Sequence, residues 1–248
     1  MSAVRTGRRP VRPGISSLKG LDWLARVGPC PVDAWAVAMA WSRAVAYSHA
    51  GRLERSGLVQ RVPTSPSELP LLVATKRGVS IANVDAIAAR PPAPTWWAHA
   101  YGCAWTAAWL TGRRRTIQGT QEVAADDTWV GEVTWRQSGE RRRANHRPDL
   151  AWLVKGRRVA IEVELARKSS PRLQGILALH SRWYASRHTA GVIYVCADER
   201  GRERIVEVAA GEGLRPGRGG GLRVELLTTV KEQAHAARVA AELPGGTA

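Results

Sequence analysis

Leu173, Ile176, Leu177, His180, Trp183 and Tyr184 recur at the three-and-four spacing of one helix face, which predicts a helix with Ser170 as N-cap and Pro171 in its first turn. Upstream the period changes. Leu150 to Val154 is a short apolar run, Lys155-Gly156-Arg157-Arg158 is a turn with Gly at its first central position, and Val159 to Leu165 is rich in β-branched residues, so a hairpin is expected. Gly191 to Cys196 reads as a buried third strand, and hairpin, helix and strand together make an α/β core. Trp96 to Leu110 predicts another helix, carrying His99, with Trp96, Trp97, Trp105 and Trp109 near helical spacing and therefore expected in a core. Leu222 to Leu227 is strand-like. The glycines at 217 and 219–221 before it form a flexible connection rather than a phosphate loop, since no helix follows.

The first 90 residues follow a different plan. Ser16 and Ser17 cap a helix from Leu18 to about Val27, stopped by Gly28-Pro29. A second runs from Val32 to about Ala40, and a third from after Ser42 to Ser56-Gly57. Two strand-like pieces, Leu58 to Val62 and Leu69 to Thr75, flank a Pro/Ser loop, and Lys76-Arg77-Gly78 leads into a closing helix. Three short helices and a β-hairpin form the pattern of a winged helix. Arg90-Pro91-Pro92-Ala93-Pro94 then reads as a stiff linker. The expected organisation is a disordered basic arm at 1–14, a winged helix at 15–90, a linker at 91–95, an α/β domain at 96–242 and a tail at 243–248.

Charge narrows the partners. The formal net charge is +16, with 13 basic against 5 acidic residues in 1–90 and 24 against 16 in 91–248. An excess spread over both halves suits a polyanion met by both, and DNA is the expected partner. Cys30, Cys103 and Cys196 have neither zinc-site spacing nor an even count for disulfides, which points to a reducing, cytoplasmic compartment, and with DNA as the partner a nucleoid-associated location is expected. No apolar segment reaches the roughly eighteen residues of a membrane span.

Within this basic chain three carboxylates are candidates for chemistry. If the hairpin loop has two residues, Lys155 faces Arg158, Ala151 faces Glu162 and Asp149 faces Glu164. Alternation then puts Asp149, Glu162 and Glu164 on one face. Crowded carboxylates repel, a divalent cation relieves them, and hard oxygen ligands suit Mg²⁺ or Mn²⁺. His146 precedes the hairpin, as a base, a partner of the acids or a solvated loop residue. Lys168 follows it.

The stretch from His146 to Cys196 resembles the PD-(D/E)xK nuclease core. That resemblance implies that Asp149 and Glu162 hold a metal, and the catalytic set it implies is Asp149, Glu162, Glu164 and Lys168. Glu164 occupies the position at which the family carries lysine. Some restriction enzymes use a second glutamate there, and Lys168 is the alternative source of an ammonium group. Glu122 or Glu132 would supply the further upstream carboxylate some of these enzymes use. The segments Arg52 to Val59 and Thr75-Lys76-Arg77-Gly78 resemble bacterial winged-helix domains, which implies DNA contacts by Arg43, Tyr47, Ser48 and Arg52 on the third helix and by Arg61 and Lys76 near the wing. The layout of a winged helix followed by a restriction-endonuclease-like α/β domain with a mixed central sheet, α+β overall, is similar to the replication-relaxation family of plasmid and mobile-element proteins. Two functions are then expected. One is a Mg²⁺- or Mn²⁺-dependent DNA endonuclease or nickase. The other is a catalytically inactive DNA-binding replication, transfer or transcription factor, acting as a homodimer or with replication or transfer proteins of the same element.

Overall fold

The computed structural model describes residues 13–65 and 68–242; nearly all of the expected basic arm and the whole 243–248 tail lie outside them. The N-terminal part contains α1 (Ile15–Val27), β1 (Cys30–Pro31), α2 (Val32–Ala38), α3 (Arg43–Arg55), β2 (Val59–Val62), β3 (Leu71–Ala74) and α4 (Lys76–Ala82). Ser42 caps α3 by accepting a hydrogen bond from the Val45 amide at 3.3 Å, and Thr75 caps α4 through the Gly78 amide at 3.0 Å. The three strands form an antiparallel sheet in the order β1-β3-β2.

The rest of the chain runs through α5 (Trp97–Gly112), β4 (Thr116–Gln118), α6 (Thr120–Ala125), β5 (Gly131–Gln137), β6 (Glu140–His146), β7 (Leu150–Val154), β8 (Arg157–Glu164), α7 (Ser170–Ala185), β9 (Val192–Cys196), α8 (Glu199–Gly211), β10 (Arg215–Pro216), β11 (Gly221–Leu226) and α9 (Leu227–Glu242). Six strands make one mixed sheet in the order β10-β11-β9-β8-β7-β4. Neighbours from β10 to β8 are parallel, and β7 and β4 pair antiparallel. Alternation along the strands divides the apolar residues between two layers. Leu150, Ile161, Val163, Ile193 and Val195 face α5 and α9, while Ala151, Ala160, Val192, Tyr194 and Cys196 face α7 and α8. Strands β5 and β6 form a separate two-stranded sheet.

The expected hairpin exists, but its turn lies one residue earlier. Lys155 and Gly156 both have positive φ, 47° and 73°, as a type I′ hairpin turn requires. Ala151 therefore pairs with Ala160 instead of Glu162, and continuing the register sets Asp149 opposite Glu162 instead of Glu164. A slip of two residues leaves every side chain on its expected face. Helix α7 begins at Ser170 with Ser169 as N-cap, so the expected cap is displaced by one position. Trp105 and Trp109 are buried as expected, whereas Trp96 is 60% exposed because it lies ahead of α5.

The two parts of the chain share a core. Leu24, Trp35 and Val37 belong to the same buried cluster as Trp105, Trp109 and Val230. Across this junction Trp23 donates to Thr111 Oγ1 at 3.1 Å, the Thr120 hydroxyl donates to the Val27 carbonyl, and Arg238 reaches the Trp41 carbonyl. The Pro-rich 90–93 segment lies outside regular structure. No helix among the described residues is long and apolar enough to cross a membrane.

Candidate active site

Strand β8 buries both of its glutamates: Glu162 is 2% exposed and Glu164 9%. A buried carboxylate needs partners. Glu162 has two, since the Nε2 atoms of His146 and His180 lie 2.7 and 2.9 Å from the same oxygen, Oε1. His146 ends β6 and His180 projects from the middle of α7, so three separate elements meet at this carboxylate. His146 is therefore mostly buried rather than a solvated loop residue. Glu164 accepts from the Lys168 backbone amide at 3.2 Å and is ion-paired to the Lys168 ammonium.

Asp149 continues the β7–β8 ladder with its backbone and its side chain. Its amide donates to the Ile161 carbonyl at 2.9 Å, and Oδ2 accepts from the Val163 amide at 2.7 Å. Oδ1 meets His99 Nε2 at 3.0 Å, in the first turn of α5. Cys103, one turn further on, places Sγ 3.5 Å from the same imidazole nitrogen.

These partners set the electrostatics. Burial pushes the Glu162 carboxyl up, but the facing His146 and His180 imidazoles outweigh it and hold the group far below the usual carboxylate range. Burial lowers His146, yet the Glu162 charge and hydrogen bond raise it further, so the net shift is upward. His99 behaves likewise: burial lowers it and Asp149 more than compensates. Burial raises the Cys103 thiol well above its ordinary value, with the Asp149 and Glu162 charges adding to the effect, so it stays protonated.

His99, His146, Asp149, Glu162, Glu164 and Lys168 all line one cleft of about 510 Å³, joined by Trp96, Arg147 and Arg172. The four acidic and basic residues expected from the sequence are thus brought together. His180 and Cys103 are additions: helical spacing places His180 among core residues, and nothing in the linear sequence connects it to Glu162. The upstream glutamates lie elsewhere. Glu122 accepts from the Gly119 amide at 2.8 Å to cap α6, and Glu132 sits 3.8 Å from Arg143 on the β5–β6 hairpin.

Among the described residues two groups offer ligand atoms within 4.8 Å of one another, His99-Cys103-Asp149 and His146-Glu162-His180. The first adds a thiol sulfur to imidazole nitrogen and carboxylate oxygen, and the second joins two imidazoles to one carboxylate, donor sets that suit a transition cation such as Zn²⁺ better than the all-oxygen preference of Mg²⁺. The two Glu162 hydrogen bonds both fall on Oε1, leaving Oε2 for a further ligand.

Of the residues expected to contact DNA, Arg43, Tyr47, Ser48 and Arg52 lie on α3 and Arg61 on β2. Arg43 and Arg61 lie over the Tyr47 ring at 5.7 and 5.9 Å, and Arg52 donates to Ser48 Oγ at 3.0 Å. Two of these cations are neutralised internally, Arg43 by Asp33 at 3.1 Å and Arg61 by a bidentate pair with Glu54. Lys76 is exposed at the start of α4.

No family model matches the sequence, and a search of curated proteins finds no match. Among solved structures, protein VC1899 from Vibrio cholerae is similar over 90% of this chain and 50% of its own, at 13% identity and a TM-score of 0.30, so this chain spans about half the length of that protein.

Proposed function

We propose that the chain is a DNA-binding protein of a plasmid or mobile element, in which a winged helix (α1 to α4) engages duplex DNA and a PD-(D/E)xK-like domain cleaves or nicks it. The observation that carries this reading is the meeting of Asp149, Glu162, Glu164 and Lys168 in one open cleft of a strongly basic molecule. As the resemblance implies, Asp149 and Glu162 would hold the cation, Asp149 with His99 beside it and Glu162 with His146 and His180 beside it. A divalent ion bound there would polarise the phosphodiester and ease ionisation of the attacking water.

The chain's own groups have separable tasks. Lys168, ion-paired to Glu164 at the cleft wall, would orient water beside the carboxylates. Arg147 and Arg172 face the same space and offset charge developing on the phosphate oxygens. On α3, Arg43, Tyr47, Ser48 and Arg52 would meet base edges and phosphates, with Arg61 and Lys76 on the flanking backbone.

A second reading rests on a specific observation. Each acid in the cleft already has an internal partner, Glu162 two histidines, Glu164 a lysine and Asp149 a histidine, an arrangement that is complete without a cation. It favours a DNA-binding replication, transfer or transcription factor that keeps the fold without the chemistry. Incubating supercoiled plasmid with the protein in Mg²⁺, Mn²⁺ or EDTA separates the two. Nicking that needs metal and vanishes in Asp149→Ala supports the nuclease; salt-sensitive binding without cleavage, equal in both proteins, supports the factor.

A further inference from the structure

The β5–β6 hairpin carries Arg136, Arg141, Arg142 and Arg143. It closes through Ser138 and Gly139, with φ of 51° and 83°, so its two-residue turn is of the tight hairpin type. One face packs Val133 against Ile176 and Leu179 of α7, and Arg172 covers the Trp135 ring at 5.8 Å. The seat is close: a Cβ added to Gly175 would lie 2.8 Å from the Thr134 carbonyl oxygen. The ribbon is thus packed on α7, the helix that also supplies His180.

Its other face carries Arg136, Arg141 and Arg143. Arg136 and Arg141 are direct cross-strand partners, a like-charge pairing that works against the sheet, and neither has an acidic partner among the described residues. Arg143 has only Glu132, at 3.8 Å. Strand β6 then runs straight to His146 and Arg147 at the cleft, so the cationic row is continuous with the acidic site.

We propose that this ribbon is a second DNA-contacting surface that grips the phosphate backbone on one side of the cleft. The inference rests on the DNA-binding reading above. A two-stranded ribbon fits the major groove, and its arginines repeat along the strand at roughly 6.6 Å, about two base steps of rise. Arg143 and Arg141 lie three and five residues before His146, so they reach about 10–17 Å from the cleft, or roughly three to five nucleotides. A polyanion at this face supplies the counter-charge that the ribbon lacks.

The test measures binding of the full chain to a duplex of about 30 base pairs by fluorescence anisotropy across a salt series. Four proteins are compared: wild type, the triple variant Arg136→Ala/Arg141→Ala/Arg143→Ala, the corresponding triple Lys variant, and Arg52→Ala. Each lost phosphate contact lowers the slope of log affinity against log salt by about 0.9. The Ala triple should therefore lose about two to three units of slope and at least tenfold in affinity, while the Lys triple keeps the slope. All three side chains are exposed, and removing their mutual repulsion should leave the melting temperature unchanged or higher, which checks the fold. Wild-type slope and affinity in the Ala triple, with weakened binding in Arg52→Ala, overturn the ribbon proposal and leave the DNA-binding function standing. Absence of salt-sensitive binding by the wild type overturns both.

Discussion

Glu162 is the residue on which most of the site turns, because its burial is tolerable only with His146 and His180 in place. Glu162→Ala strands both imidazoles and should cost about 1–3 kcal/mol, read from the urea midpoint. The pH dependence has two limbs of opposite origin. His146 is raised, so its contribution is complete below its ordinary value of 6.5 and is lost as pH climbs through the folded value. Glu162 is lowered, so its contribution is present above the ordinary carboxylate range and is lost as pH falls towards its folded value. In EDTA, stability should peak in the mildly acid range, and Glu162→Gln should flatten both limbs; unchanged limbs would assign them to other groups. The glutamates are legible in the sequence as an alternating pair on one strand, and Asp149 stays on their face because parity survives a two-residue slip in pairing. The imidazoles are not legible, since only tertiary packing brings residues 146, 162 and 180 to one oxygen.

Helix α4 shows how closely the elements of the N-terminal part are fitted. Thr75 both accepts from the Gly78 amide and donates to the Gly57 carbonyl at 2.8 Å, so one hydroxyl caps α4 and ties it to the end of α3. Thr75→Ala should destabilise by about 1–2 kcal/mol. Gly78 is tighter still, with a Cβ there falling 2.1 Å from the Leu58 carbonyl oxygen, so Gly78→Ala should cost at least as much through displacement of the β2 entry. Both changes are measurable by thermal melting. Periodicity reveals α1 to α4 because each has a cap or a Gly/Pro stop beside it. It does not reveal β5 and β6, where Val133 and Trp135 supply only a sparse apolar face among arginines, nor α8 and α9, where alanine and charge dilute the stripe.

Across the whole molecule the shared core joins α2 to α5 and α9, burying Trp35, Trp105 and Trp109 in one cluster. The expected outcome in calorimetry is a single transition with equal calorimetric and van't Hoff enthalpies. Two resolved transitions would mean that the junction contributes little. The composition of residues 91–95 reads as a spacer, but chain-distant contacts such as Arg238 to Trp41 come from elsewhere in the sequence and leave no local signal. This junction has a geometric consequence under the proposed function. Helix α5 packs on α1 and α2, which also pack on α3, and carries His99 in its first turn, so recognition face and cleft are fixed to one frame. Such a molecule is a ruler: strand breaks should fall at one constant offset from the bound sequence, and lengthening the 91–95 segment should leave that offset unchanged.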